Sequence, residues 1–141
     1  MGAPRLSQLT VGDEVARATY RIHRTDLVRY AGASGDFNPI HWNQRVAVRV
    51  GLPDVIAHGM FTMATAVRVV VDWCGDPGAV VEYGVRFTKP VVVGDPDGAE
   101  VDVVAKIAVL DLEAGTARVD LTATCAGAGV LGKARAVVRL A

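Results

Sequence analysis

Between Gly59 and the turn-forming run CGDPG lies MFTMATAVRVVVDW, fourteen residues of which only Arg68 and Asp72 are charged. Apolar residues fall on nearly every side of a 3.6-residue period, which predicts a buried helix from Met60 to Trp73 rather than an amphipathic surface helix. At about 1.5 Å per residue it reaches about 21 Å, too short to span a bilayer. Its β-branched residues leave a strand reading open, but the Gly and Gly/Asp/Pro punctuation bounds a unit of helix length. A chain built around one such helix must wrap the rest of itself about it.

The remaining residues supply the wrapping. Beyond residue 78 the sequence reads as strands, VVEYGVRF, EVDVVAKIAVL, TARVDLTATC and GKARAVVRLA, separated by breaks such as VGDPDG and DLEAG. In the third, Thr116, Arg118, Asp120, Thr122 and Thr124 share one face while Ala117, Val119, Leu121, Ala123 and Cys125 share the other, so one face is wet and one packed. A further strand is expected over residues 14–21. Two short helices are expected before the long one: DLVRYAG capped by Thr25, and QRVAVRV capped by Asn43 and stopped by Gly51. With 141 residues, 51% of them hydrophobic, residues 1–141 are expected to form a single domain. The class is α+β, a long antiparallel meander wrapped around a long central helix, the architecture of the hot-dog fold.

Fifteen basic and fifteen acidic residues cancel, which gives no bulk attraction for nucleic acid or a membrane surface. Cys74 and Cys125 stand alone, without CxxC or Cys/His spacing, so no metal site is expected and both thiols are expected to be free and buried. The first residues lack the layout of a secretory leader, and the expected location is cytoplasmic.

The stretch ASGDFNPIHW, residues 33–42, interrupts this pattern. Pro39 fixes its own φ and pushes Asn38 out of the helical region, so Asp36 to His41 must be a loop. Two readings of that loop stand side by side. Asp36 can bond nearby amides as an Asx turn while the histidine is incidental, or the loop holds a carboxylate and an imidazole against one substrate, as acid–base chemistry near neutral pH requires.

The run YAGASGDFNPIHWNQRVA followed by IAHGM resembles the signature of the MaoC-like family of (R)-specific enoyl-CoA hydratases and hydroxyacyl dehydratases. The Gly-Asp pair, a free residue, Asn-Pro, an aliphatic residue and His stand at Gly35, Asp36, Asn38, Pro39, Ile40 and His41, with a small residue, Ala47, further on. The segment WCGDPGAVVEYGVRF is similar to the catalytic subunit of the mycobacterial (3R)-hydroxyacyl-ACP dehydratase.

The resemblance implies a hydro-lyase of fatty-acid metabolism, with Asp36 and His41 as its acid–base pair and the Gly59 amide, at the start of the long helix, as the donor to the thioester oxygen. Removing water from a 3-hydroxyacyl thioester needs those three parts and neither metal nor redox cofactor. Which of Asp36 and His41 is acid and which base stays open in the sequence. Asn38 is expected to brace the loop, hold His41 or touch substrate, and Met60, Phe61, Met63, Ala64 and Val67 to wall the acyl slot. Where some short-chain members carry a serine this chain has Val67, which favours an apolar tunnel. His58 is expected to be a backbone-bonded structural histidine, and His23, on the opening strand, to be inert. Arg45, Arg49, Arg86, Lys89, Lys133 and Arg135 are available to the CoA or acyl carrier protein bearing the substrate. The implied assembly is a dimer, with itself or with a related, catalytically silent hot-dog subunit. Two other functions fit the fold: an acyl thioesterase, against which the Asp36, Asn38, Pro39, His41 set argues, and a non-catalytic acyl-binding subunit, in which Asp36 or His41 would be missing.

Overall fold

Six strands form one antiparallel sheet in the computed structural model, which describes residues 2–141. They are β1 (Glu14–Ile22), β2 (Val80–Phe87), β3 (Ala99–Asp111), β4 (Thr116–Cys125), the two-residue β5 (Ala128–Gly129) and β6 (Leu131–Arg139). The helices α1 (Arg24–Ser34), α2 (Gln44–Arg49) and α3 (Gly59–Cys74) all lie between β1 and β2. This is the expected hot-dog fold, an α+β arrangement of a sheet curved around a central helix.

The strand order β1-β3-β4-β6-β2 corrects the expectation of one continuous meander. Only β3, β4 and β6 run as neighbours in sequence order. β2 crosses to the far edge and pairs with β6, with Tyr83 opposite Ala136, while β1 pairs with β3 at the other edge. Alternation fixes which side chains face the core, but it carries no information about which strand lies alongside. The inner face follows the period of two: Val101, Val103, Ala105 and Ile107 of β3, Ala117, Val119, Leu121 and Ala123 of β4, and Ala134, Ala136 and Val138 of β6 are all buried. Cys125, the last member of the packed β4 face, is only half-buried, whereas Cys74 is buried; both are free thiols.

The central helix packs on this floor through Thr62, Thr65, Ala66, Val69, Val70 and Cys74, spaced three and four residues apart. Its other side is not covered. Met60, Ala64, Arg68 and Asp72 are exposed, so α3 is a helix with one bare face and not the fully enclosed one its composition suggests. A single sheet shields only one side of a helix, and composition alone does not say that nothing packs on the other.

Local chemistry sets the helix ends that frame the site. α1 begins one residue before the expected cap: the Asp26 carboxylate accepts from the backbone N–H of His23, which is the N-cap residue between β1 and α1 and not a strand residue. Gly35, at φ 76°, ends α1 in the left-handed conformation and releases the chain into the Asp36 loop. Asn43 caps α2 by accepting from Val46 N–H, as expected. No helix among the described residues is long and apolar enough to cross a membrane.

Candidate active site

The loop from Asp36 to His41 is a chain of small turns. Asp36 Oδ1 accepts from Asn38 N–H at 3.2 Å and Asn38 Oδ1 accepts from Ile40 N–H at 3.3 Å, after which Pro39–His41 form one 3₁₀ turn. The Asx turn and the acid–base reading therefore coexist, since Asp36 spends one carboxylate oxygen on the turn and Oδ2 is turned toward His41. Asn38 is a brace of the loop: its carbonyl accepts from His41 N–H at 3.1 Å, and it lines neither cavity at the site.

His41 is buried while the Asp36 side chain is about half exposed, at 52%. His41 Nδ1 donates to the Ile56 carbonyl at 2.7 Å. A carbonyl can only accept, so the proton sits on Nδ1 and the lone pair on Nε2. Nε2 lies 3.9 Å from Asp36 Oδ2, too long for a direct hydrogen bond and close enough for both to reach one small substrate group. The Ile56 carbonyl is itself fixed. Residues 55–57 form a short antiparallel ribbon with residues 91–93, through Val93 N–H to Val55 O and Ala57 N–H to Val91 O, while Ile56 N–H donates to Ile40 O. Arg24 clamps the end of the ribbon, donating from Nε to Val93 O at 2.6 Å and from Nη2 to Asp54 Oδ1 at 2.7 Å.

His58 lies beneath the pair. Its ring stacks on that of His41, with centroids 3.8 Å apart and planes 22° from parallel, and the edge of Tyr30 meets it at 4.8 Å. His58 Nε2 donates to the backbone carbonyl of Asp36 at 3.1 Å, and burial pushes its pKa below the usual imidazole range, against the opposing pull of that bond. The expectation of a backbone-bonded histidine holds.

Asp36, His41 and His58 are also the one trio of potential metal-ligating side chains that come close together among the described residues. Both rings already give one nitrogen to a backbone carbonyl, which leaves His41 Nε2, His58 Nδ1 and the Asp36 carboxylate as the free donor atoms of the trio.

Gly59 is the first residue of α3, where helix N–H groups have no partner within the helix and carry partial positive charge. Two cavities meet at it. One, of about 290 Å³, runs from His41 past Thr62 and Phe87 to Val91, Val130 and Leu131 and is largely apolar. The other, of about 490 Å³, is lined by Asp36, Tyr30, Ser34, His58, Met60 and Phe87. A Cβ on Gly59 would stand 3.1 Å from the Phe87 ring, so a side chain there meets Phe87 before anything else.

None of the five residues expected to wall the acyl slot lines the apolar cavity at His41. Met60 is exposed beside Asp36, Phe61 packs edge-on against Tyr30, and Ala64 is exposed. The Met63 carbonyl accepts from Tyr83 Oη at 2.8 Å, and Val67 packs against the core. By their spacing Met60, Met63, Ala64 and Val67 share one side of α3, whereas the apolar cavity at His41 takes only Gly59 and Thr62 from that helix and draws the rest of its wall from residues 56–57, 87–91 and 130–131. Of the candidate basic residues, Lys89 lines that cavity. Sequence reasoning missed Ile56, Phe87, Arg24 and Asp54. The first acts through its backbone, which no side-chain pattern reveals, and the last two are thirty residues apart, with no local signal joining them.

Residues 7–124 match the family described as MaoC like domain. The chain belongs to that family. It is 45% identical over 76 residues to 3-hydroxyacyl-thioester dehydratase X of Mycobacterium tuberculosis, a match covering 54% of this chain and 26% of the relative. With 3-hydroxybutyryl-CoA dehydratase of Methylorubrum extorquens it shares 33% identity over 105 residues, 74% of this chain and 63% of the relative. The match thus spans less than two thirds of the length of either curated relative. Among solved structures, a MaoC-like dehydratase superposes with a TM-score of 0.95 at 44% identity, covering 99% of this chain and 43% of the other. An (R)-hydratase from A. caviae involved in PHA biosynthesis superposes at 0.83 with 25% identity, covering 95% of this chain and 98% of its own.

Proposed function

We propose that this MaoC-family chain is a hydro-lyase, dehydrating (3R)-hydroxyacyl thioesters and hydrating trans-2-enoyl thioesters in the reverse direction. The observation that carries this reading is the placement of Asp36 Oδ2 3.9 Å from His41 Nε2, beside the first amide of α3. In the dehydration direction, the bare Nε2 of His41 takes the C2 proton. Charge gathers on the thioester oxygen, where the Gly59 N–H donates to it. The C3–O bond then breaks as Asp36, directly or through water, passes a proton to the departing hydroxyl, which leaves as water. The proton on His41 returns to Asp36 across the short gap or through solvent. Hydration runs the same steps backwards. None of these steps calls on a metal or redox cofactor.

The thioester is carried by CoA or an acyl carrier protein, and the working unit is a dimer. The relatives named as dehydratases and hydratases support the reaction class. One structural neighbour, the ChsH1-ChsH2 complex from Mycobacterium tuberculosis, supports pairing of two hot-dog chains. We favour a related, non-catalytic hot-dog subunit as the partner. The test is to incubate purified protein with crotonyl-CoA and with a long-chain enoyl thioester and to follow the enoyl absorbance. Loss of absorbance without release of free thiol is expected. Thiol release with the enoyl group intact would instead make the chain a thioesterase.

A further inference from the structure

We propose that His58 is the positioning residue of the acid–base pair, holding the Asp36 main chain through its Nε2–H and carrying the His41 ring on its face. This rests on the hydro-lyase reading and adds a part to it. Its side chain touches both members of the pair, the Asp36 carbonyl at 3.1 Å and the His41 ring with centroids 3.8 Å apart, and its main chain is the N-cap of α3, whose first residue is Gly59.

The hydrogen-bond inventory of His58 defines what it can do. Because the Asp36 carbonyl only accepts, the ring carries its proton on Nε2 and leaves Nδ1 bare. Nδ1 is buried and has no partner among the described residues. A second proton there would find no acceptor among them, so His58 stays a neutral ring, a condition reinforced by the depression of its pKa. The charged and titratable groups facing it are Asp36 and His41 from the loop and Tyr30 from α1. With His58 excluded from protonation, the C2 proton has one destination in the stack, His41 Nε2. The imidazolium formed there lies over the electron-rich face of a neutral aromatic ring. His58 touches no substrate atom in this scheme. It sets the distance between the acid and the base.

Two variants separate the parts of the role. Gln places an N–H donor where His58 Nε2 stands but has no ring, whereas Phe keeps a ring to stack on His41 and loses the donor. In crotonyl-CoA hydration, His58→Phe is expected to lower kcat about 100-fold with KM within about twofold, the scale of misplacing a catalytic group by about 1 Å. His58→Gln is expected to recover most of that loss. Amide exchange at Asn38 and His41 is expected to quicken by at least about tenfold in the Phe variant and to stay near wild type in the Gln variant. Equal kcat in wild type and the Phe variant, or equal losses in both variants, overturns the proposal. A third measurement needs no substitution and no activity. The ¹⁵N signals of His58 in the wild-type chain are expected to be those of a neutral ring protonated on Nε2 from about pH 6 to about pH 8, and a ring protonated on Nδ1, or a cation in that range, overturns it. A wild-type chain inactive on every enoyl thioester would refute the hydro-lyase reading while leaving the exchange and ¹⁵N results to decide the role of His58.

Discussion

His41 Nδ1 lies 2.7 Å from the carbonyl oxygen of Ile56, and that contact fixes the ring tautomer with its proton on Nδ1. A histidine held in this tautomer turns a bare Nε2 toward Asp36; in the proposed reaction His41 would take the C2 proton and Asp36 would serve the oxygen at C3.

Asp36→Asn is expected to lower hydratase turnover by at least about 100-fold, the usual scale for an acid–base group, with little effect on folding because the side chain is half exposed. His41→Ala should match that loss in rate and also cost about 1 kcal/mol in stability, because the ring is buried and its bond to Ile56 disappears. Steady-state kinetics with a urea titration of each variant checks both. Near-normal turnover in either one would sink the mechanism.

Arg24 and Asp54 reach the same histidine indirectly. Their ion pair, each side chain about one-fifth exposed, pins the ribbon whose Ile56 carbonyl orients His41. Arg24→Met is expected to cost about 2 kcal/mol, the scale of losing hydrogen bonds to a charged group. It should also lower kcat more than it raises KM. Arg24→Lys keeps the charge but cannot span Val93 O and Asp54 together, and is expected to recover only part of either loss. Unchanged kcat in folded Arg24→Met would show that the ribbon holds Ile56 without the clamp.

Gly59→Ala puts a methyl group against the exposed Phe87 ring, a neighbour that can swing away, so stability is expected to change by less than about 1 kcal/mol while turnover falls by at least about 100-fold. The displaced ring crowds the junction of the two cavities. Adding Phe87→Ala to the Gly59→Ala chain is expected to restore at least about tenfold, or roughly 1.4 kcal/mol of barrier. No recovery would mean that the methyl group itself obstructs the thioester.

What could be read in the sequence divides along physical lines. β4 was legible to the residue because strict alternation on a half-buried strand leaves one choice of face, and the Asp36 loop was legible because Pro39 forbids one continuous helix from Asp36 to His41. The position of β2 at the far edge was not, since pairing depends on which strands meet and not on what each contains. The pocket wall was not legible for a related reason. Met63, Ala64 and Val67 are apolar whether they face a ligand, the core or an unpartnered side of α3, and composition does not separate those cases.

Acid should weaken the fold through His58. Its folded-state pKa is depressed, first by burial, so below about pH 6.5 the unfolded chain takes up a proton that the folded chain refuses. Stability from this group is therefore complete above the unfolded value and declines as the pH falls through it toward the lower folded value. Urea midpoints are expected to drop between about pH 7 and about pH 5.5, and His58→Gln should flatten that slope. Parallel curves for the two proteins would remove His58 as the source.

The two sheet edges are not equivalent, and the difference predicts an assembly. β1 ends the sheet with Glu14, Arg17 and Arg21 exposed along it, charges of the kind that keep an edge from pairing. β2 ends the other side with Glu82 and Arg86 exposed as well, but it adds Val81 and Phe87 exposed at 47% and 55%, and Phe87 borders both cavities at Gly59. The bare face of α3 begins at Met60, in the same neighbourhood. A second hot-dog chain pairing along β2 would satisfy the free backbone of that edge and close the open side of the site in one step. Light scattering of the purified chain is therefore expected to give a dimer. Val81→Lys, which brings like charges to the edge, is expected to give a monomer that has lost at least about tenfold in hydratase rate, about 1.4 kcal/mol of barrier. Co-expression with a related hot-dog subunit should raise activity on long acyl chains above that of the homodimer. A wild-type monomer with full activity at nanomolar concentration would refute the assembly, and a dimeric Val81→Lys protein with wild-type rates would move the interface away from β2.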